Sequence, residues 1–312
     1  MSVNTAGSFQ LLFDNNYREI QQEGLNAYLS GMKEKFYKVQ GSDSAYEQFG
    51  TIGSVPDVVP FNGAIRYLSI TPGYTSKIEH AEYAGGVMFE RKLLDDKKFT
   101  DLEDGAKGLG ASVAQVVDKL AHGPFNDAFS AAFAFMQSEE GIALCGTHTT
   151  KSGVSTSSGF DNAGTSSLNK TSIIQSVITM SRFRDLQGNR MNFGDPVLVV
   201  PRALAQEAYE ATGTNPRTGE TSALDPSSAN HKVNYARGIR VEVLDRLDDT
   251  STSNWFTVDW KMMKDNLLWF DRVSPEFKNT VDFDTMVAKM STYFRCSYGW
   301  KKWQWINGQN VS

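Results

Sequence analysis

The sequence predicts an α+β fold. Three observations carry that expectation. Residues 99 to 137 hold a long helical apolar stripe, residues 61 to 95 alternate as a charged ribbon, and residues 167 to 213 read helix, tight turn, buried strand, helix. Aromatic strands then close the chain from residue 239 onward.

At 312 residues the chain suits one large domain or two moderate ones. Hydrophobic residues make up 40%, enough for a sizeable core and far from a disordered composition. A net charge of −5 argues against a dedicated nucleic-acid binder, which carries a basic excess or stripe. Cys145 and Cys296 are too few and too far apart for a disulfide framework, so a reducing compartment is the default. Phe9-Gln-Leu-Leu-Phe13 lacks a basic flank and runs into Asp14, unlike a secretory signal. No apolar run approaches the roughly 20 residues of a membrane helix, and no membrane partner is expected.

In chain order, a first helix is expected near Tyr17–Phe36, with Ile20, Leu25, Leu29 and Met32 on one side. Gly41 to Pro60 reads as loop. An arm packed on another surface and a loosely ordered terminus both fit this composition. Ile65-Arg-Tyr-Leu-Ser-Ile70 alternates, Thr71-Pro-Gly-Tyr74 signals a turn, and Lys77-Ile-Glu-His-Ala-Glu-Tyr83 alternates again. Gly85-Gly86 allows a bend before Val87–Arg91. A lone hairpin of this kind is marginal in water, so it is expected to lie on this subunit or on a neighbour.

Leu109, Val113, Val116, Val117 and Leu120 then fall at i, i+4, i+7, i+8 and i+11. After Gly123-Pro124 the period resumes through Phe125, Phe129, Phe133 and Met136, as one kinked helix or two stacked ones. Residues 138 to 168 are a polar connector with room for one short strand. Ser167 suits an N-cap for a helix with Ile173, Val177, Met180 and Arg184 on one face. Asp185-Leu-Gln-Gly-Asn189 breaks that helix. Pro196-Val-Leu-Val-Val200 is too apolar for a strand with a wet face, and Arg202–Ala211 is a helix stopped by Gly213. Thr214 to Arg237 is a long polar loop. Strands follow at Ile239–Val243, Trp255–Trp260, Leu267–Phe270 and from Tyr293 to Ile306.

Chemistry is sparse. Cys145-Gly-Thr-His148 suggests half a metal site, but no second Cys/His pair has the spacing, and His80, His122 and His231 are isolated. Gly105-Ala-Lys-Gly-Leu-Gly110 lacks the Gly-Lys-Ser/Thr ending of a phosphate loop and reads as flexibility at a helix start. Ser157-Ser158-Gly159 lacks the strand and spacing of a nucleophile elbow. Glu79 and Glu82, three apart on an alternating strand, point to opposite faces and make a poor acid/base pair. No metal and no cofactor are expected. The closing tryptophans suit core or interface anchoring better than base stacking.

The pieces occur in a definite order: loose arm, charged ribbon, long apolar-faced helix, compact α/β unit, aromatic β segment. Glu82-Tyr-Ala84, Arg91-Lys-Leu-Leu-Asp-Asp-Lys-Lys-Phe99, Phe183-Arg-Asp-Leu-Gln-Gly-Asn-Arg190 and Leu198-Val-Val-Pro201 punctuate it. Asp265-Asn-Leu-Leu-Trp-Phe-Asp271, Phe294-Arg-Cys-Ser-Tyr-Gly-Trp300 and Trp303-Gln-Trp305 complete it. This succession resembles the major capsid proteins of tailed phages, with the Hong Kong 97-like fold, and among them the Mu-like major head subunits. The resemblance spans nearly the whole chain and lies in order and spacing, not in any single motif.

The resemblance implies a virion structural protein, not an enzyme. Such a subunit self-assembles into hexamers and pentamers of an icosahedral shell around double-stranded DNA, in the host bacterial cytoplasm. Implied partners are its own copies, a portal, scaffold or decoration proteins, and packaged DNA by non-specific proximity. It also implies an N-terminal arm at 1–60 and an extended hairpin loop at 61–98. A peripheral domain with a spine helix would take 99–167 and 276–312, and an axial α/β domain 168–275. Lys77, Glu79, Glu82, Glu90, Arg91 and Lys92 on the loop become the candidate inter-subunit contacts. Some relatives carry a cleaved N-terminal segment; this chain reads as starting with the arm, as a mature form or with a separate scaffold. Some relatives crosslink through Lys and Asn, but no matching pair is identifiable here. Two other readings stay open: an encapsulin-like nanocompartment shell, and an α/β enzyme centred on Cys145 and His148.

Overall fold

The structure, a computed structural model, describes residues 6–52, 55, 58–68, 70, 72–90, 99–132, 135–137, 141–149, 159–186, 188–213, 235–282 and 287–311. In chain order the elements are α1 (Ala6–Tyr28), α2 (Met32–Phe36), β1 (Lys38–Gly41), β2 (Tyr46–Ile52), β3 (Pro72–Glu79), β4 (Ala81–Glu90), α3 (Phe99–Asn126), β5 (Met136–Gln137) and β6 (Ala163–Gly164). There follow α4 (Lys170–Met180), β7 (Pro196–Pro201), α5 (Ala205–Thr212), β8 (Arg240–Leu244), β9 (Trp255–Asp259), α6 (Trp260–Asn266), β10 (Leu267–Val281), β11 (Val287–Trp300) and β12 (Ile306–Gln309). The chain forms two compact units. One comprises Met1–Ala45, Glu79–Ala121 and Trp269–Tyr298; the other comprises Tyr46–Ile78, His122–Leu268 and Gly299–Ser312.

The first unit is built on a four-stranded sheet of order β1-β10-β11-β4. β11 runs antiparallel to β4, in a register from Val287↔Glu90 to Cys296↔Ala81. On its inner face Phe294 stacks on Tyr83 at 5.1 Å, and Met290 is buried with Leu102, Ala106 and Leu109 of α3. The α3 stripe is Leu102, Ala106, Leu109, Val113, Val117 and Ala121, all buried at three- and four-residue spacing. Pro124 sits in the last turn, where it cannot give an N–H to the Leu120 carbonyl, and the helix ends two residues later at Asn126. The expected continuation therefore fails: residues 127–129 form a turn and Met136 lies in β5, while Phe133 is outside the described residues.

The helix expected over Tyr17–Phe36 is two helices, parted where Gly31 takes φ +70°. Its buried face is Tyr17, Gln21 and Leu25, and Leu29 is exposed. α1 meets α3 at two glycines. A Cβ on Gly24 would lie 2.4 Å from the Lys107 carbonyl oxygen, and one on Gly110 2.0 Å from that of Gln21. The Gly105–Gly110 run is thus mid-helix, not a flexible helix start. Its glycines permit close packing, and Gly105 lies under the Phe89 ring. α2 is tied to β10 by Lys33 Nζ, 2.7 Å from Asp271 Oδ2. Trp269 Nε1 donates to the other oxygen of that carboxylate at 2.8 Å. Tyr37 is buried and donates to the Ala121 carbonyl at 2.7 Å. Burial, then Tyr298, push its pKa well above the usual phenol value.

The second unit is organised by a five-stranded sheet of order β6-β12-β9-β7-β8. β7 is parallel to β8 and antiparallel to β9, and β12 lies between β6 and β9. Val197 to Val200 are fully buried, as the unbroken apolar run predicts for an inner strand. α4 begins at Asn169 rather than Ser167. The Asn169 side chain accepts the Ser172 N–H at 2.9 Å, and the Ser172 hydroxyl accepts the Asn169 N–H at 2.9 Å, a reciprocal cap. Ile173, Val177 and Met180 are buried as expected, but Arg184 lies past the helix end. The 185–189 turn forms: Gly188 has φ +85°, and Asp185 Oδ1 accepts the Asn189 N–H at 2.9 Å. α5 follows a short 3-10 turn and stops at Gly213, φ +65°. The expected loop after it lies outside the described residues from 214 to 234. α6 was not apparent in the sequence; Asp259 caps it by accepting the Met262 N–H at 2.9 Å.

This unit also holds a three-stranded sheet of order β2-β3-β5. Here the expected ribbon is corrected. Residues 65–68 and 70 are in no strand, β3 begins at Pro72 where a turn was expected, and β2 arises in a stretch read as loop. The alternation from Lys77 to Tyr83 does not make one strand. His80 parts β3 from β4; β3 pairs with β2 and β5, whereas β4 pairs with β11. Gly85-Gly86 does not bend the chain but runs straight through β4.

Candidate intersubunit surface

Four of the six expected charges lie in described residues, on β3 and β4. Lys77 projects from β3, its ammonium 4.4 Å from the Tyr46 ring centroid, so its charge is engaged within its own sheet. Glu79 closes β3 and is exposed. Glu82 and Glu90 lie at the two ends of β4, both exposed, and Glu82 Oε1 lies 3.3 Å from Arg295 Nε on the adjacent strand. Arg91 and Lys92 are outside the described residues.

What charge patterning missed is an apolar surface. Between β2 and β3 the chain presents Val58, Phe61, Ile65 and Tyr67 to water, with Val58 and Tyr67 each 91% exposed. Val58, Phe61 and Ile65 also line an open recess of about 570 Å³. Large exposed apolar side chains in succession mark a surface that another surface covers. The signal is present in the sequence as Ile65, Tyr67 and their neighbours, but alternation there points to a strand of a hairpin. β4 adds a second unusual surface. Among the described residues it is an edge strand of its sheet, Ala84, Gly85 and Gly86 are all exposed, and Met88 is 71% exposed.

Cys145 and His148 are built into the second unit as structure. The His148 ring stacks flat on Trp303 at 4.0 Å, and its Nε2 lies 3.2 Å from Asn162 Oδ1. Asn162 is fully buried and donates to the carbonyls of Leu144 and Ile306, at 2.9 and 3.1 Å. Among the described residues no three His, Cys, Asp or Glu side chains converge as metal ligands. Burial holds the Cys145 thiol far above its ordinary pKa. Burial, then Asp271, push Cys296 up to about 12. At pH 8 that leaves on the order of one Cys296 thiol in ten thousand as thiolate. Native protein at pH 8 is therefore expected to take up no iodoacetamide over an hour, while denatured protein takes up two equivalents, as intact mass reads directly. Rapid modification of the native chain would contradict both buried environments.

No protein-family model and no curated protein matches the chain. Solved structures do. The mature capsid of bacteriophage PhiM1 aligns with a TM-score of 0.56 at 11% identity, over 88% of this chain and 85% of that one. The capsid of the cyanophage P-SCSP1u gives 0.54 at 12% identity, over 89% and 87%. A virus-like particle from Pyrococcus furiosus gives 0.50 at 8% identity, over 96% and 99%. The chain therefore has the phage-capsid fold, the Hong Kong 97 type that its sequence resembles.

Proposed function

We propose that this chain is the major capsid protein of a tailed phage, self-assembling into hexamers and pentamers of an icosahedral shell around double-stranded DNA. The observation that carries this is the exposed apolar stretch from Val58 to Tyr67, on a chain with a shell-protein fold. Among the described residues nothing covers those side chains, and a neighbour in a closed shell would. The extended inter-subunit loop is then the β2–β3 excursion, residues 46–79, in place of 61–98. α3 is the spine helix of the peripheral domain, the region around β7, β8 and β9 is the axial domain, and the N-terminal segment is the arm. Portal, scaffold and decoration proteins would be the other partners, and the virion the final location. No residue is assigned a catalytic role.

The match to the Pyrococcus particle over nearly all of both chains supports a second reading, an encapsulin-like compartment. Electron microscopy of the purified protein, alone and co-expressed with neighbouring genes, tests the proposal. Closed shells or rings of five or six are expected. Compact monomers under every condition would overturn it. Nucleic acid inside the shells favours the phage reading, and a protein cargo the compartment.

A further inference from the structure

Ile65 to Ile70 has the composition of a strand, with Ile65, Tyr67 and Ile70 among residues that favour extended structure. Yet residues 65–68 and 70 are in no strand. The physical reason is that a strand is completed only by a partner for its backbone N–H and C=O groups. β4, by contrast, is a ten-residue strand bonded to β11 on one side. Natural edge strands are usually shortened, bulged, or guarded by lysine or proline. β4 has no proline and no lysine, and its centre is Ala84-Gly85-Gly86, where a second backbone meets no large side chain. A Cβ on Gly85 would meet only the Thr292 methyl, at 4.0 Å.

We infer that residues 65–70 of one subunit become a strand on assembly by adding to the open edge of β4 in a second copy. The inference rests on the shell reading and specifies its partner surface. The mode is strand addition, in which main-chain hydrogen bonds hold the segment and alternate side chains set the register. It accounts for exposed Met88, which the added strand would cover along with the Ile65 and Tyr67 side chains.

Two measurements on the full chain test it. In hydrogen–deuterium exchange, amides of 65–68 and of β4 are expected to slow at least tenfold in shells relative to dilute subunits. In disulfide trapping, Tyr67→Cys is combined in turn with Glu82→Cys, Ala84→Cys and Met88→Cys. The native thiols are buried and do not contribute background. At least one pair should give covalent multimers on a non-reducing gel from shells, with the single variants giving none. Shells whose 65–68 amides exchange as in free subunits overturn the inference and leave the shell reading standing. So do shells that protect 65–68 without protecting or trapping β4, since the segment then docks elsewhere. Protection that appears only when a second protein is added also overturns it. Failure to form shells under any condition defeats the shell reading and this inference together.

Discussion

Replacing Phe61, Ile65 and Tyr67 together by serine should leave a folded subunit that no longer assembles. All three side chains are exposed, so the subunit loses no core packing, and its unfolding temperature should be unchanged or slightly raised. The loss falls on association. Burying a large apolar side chain contributes about 1.5–3 kcal/mol, so removing three withdraws about 4 kcal/mol or more from each contact. That raises the concentration needed for assembly on the order of a thousandfold. Light scattering across a concentration series reads the shift, and circular dichroism confirms the fold. A variant that assembles at the wild-type concentration would mean the apolar stretch faces solvent in the shell, and the proposed role of the β2–β3 excursion would be lost.

Gly110→Ala should be costly out of proportion to one methyl group. The new carbon would sit 2.0 Å from the Gln21 carbonyl oxygen and 2.8 Å from the Leu25 nitrogen, both backbone atoms that cannot rotate away. α1 must shift, at a cost of about 1–3 kcal/mol, and the melting temperature should fall by roughly 2–10 °C. Gly24→Ala should behave likewise, because its carbon would strike the Lys107 backbone at 2.4 Å. Gly108→Ala supplies the control. It lies in the same helix with nothing within 4 Å, and should stabilise by about 0.5–1 kcal/mol through helix propensity alone. If all three substitutions stabilise, α1 and α3 do not cross at these glycines.

The parts of the fold legible in sequence are those where a local pattern has one physical cause. The unbroken Val197–Val200 run permits only an inner strand, and the Leu109–Val113–Val117 spacing only a helix face against a core. Gly213 and Asp185–Asn189 announced their turns through backbone preference. The failures share a different cause: the answer depended on a distant partner. Alternation around His80 shows strand character but not which sheet each half joins, so β3 and β4 were read as one. Pro275 within β10 and Gly50 within β2 hid long strands, because both residues ordinarily argue against one. The candidate surface was half legible. The charges are visible in the sequence, but the alternation at Ile65–Ile70 reads as a strand of a hairpin, and exposure is a property no local pattern reports.

The interior place of β12 has a consequence for how the protein is made. Residues 306–309 are the last of the sheet's five strands to be synthesised, yet they are flanked by β6 and β9 on either side. On the ribosome the earlier strands emerge with a gap where β12 belongs, and no growing chain can close this sheet while its final strand is still being translated. A chain stopped anywhere before residue 306 would therefore leave β6 and β9 each without the strand that pairs with it, and this unit with its five-stranded sheet open.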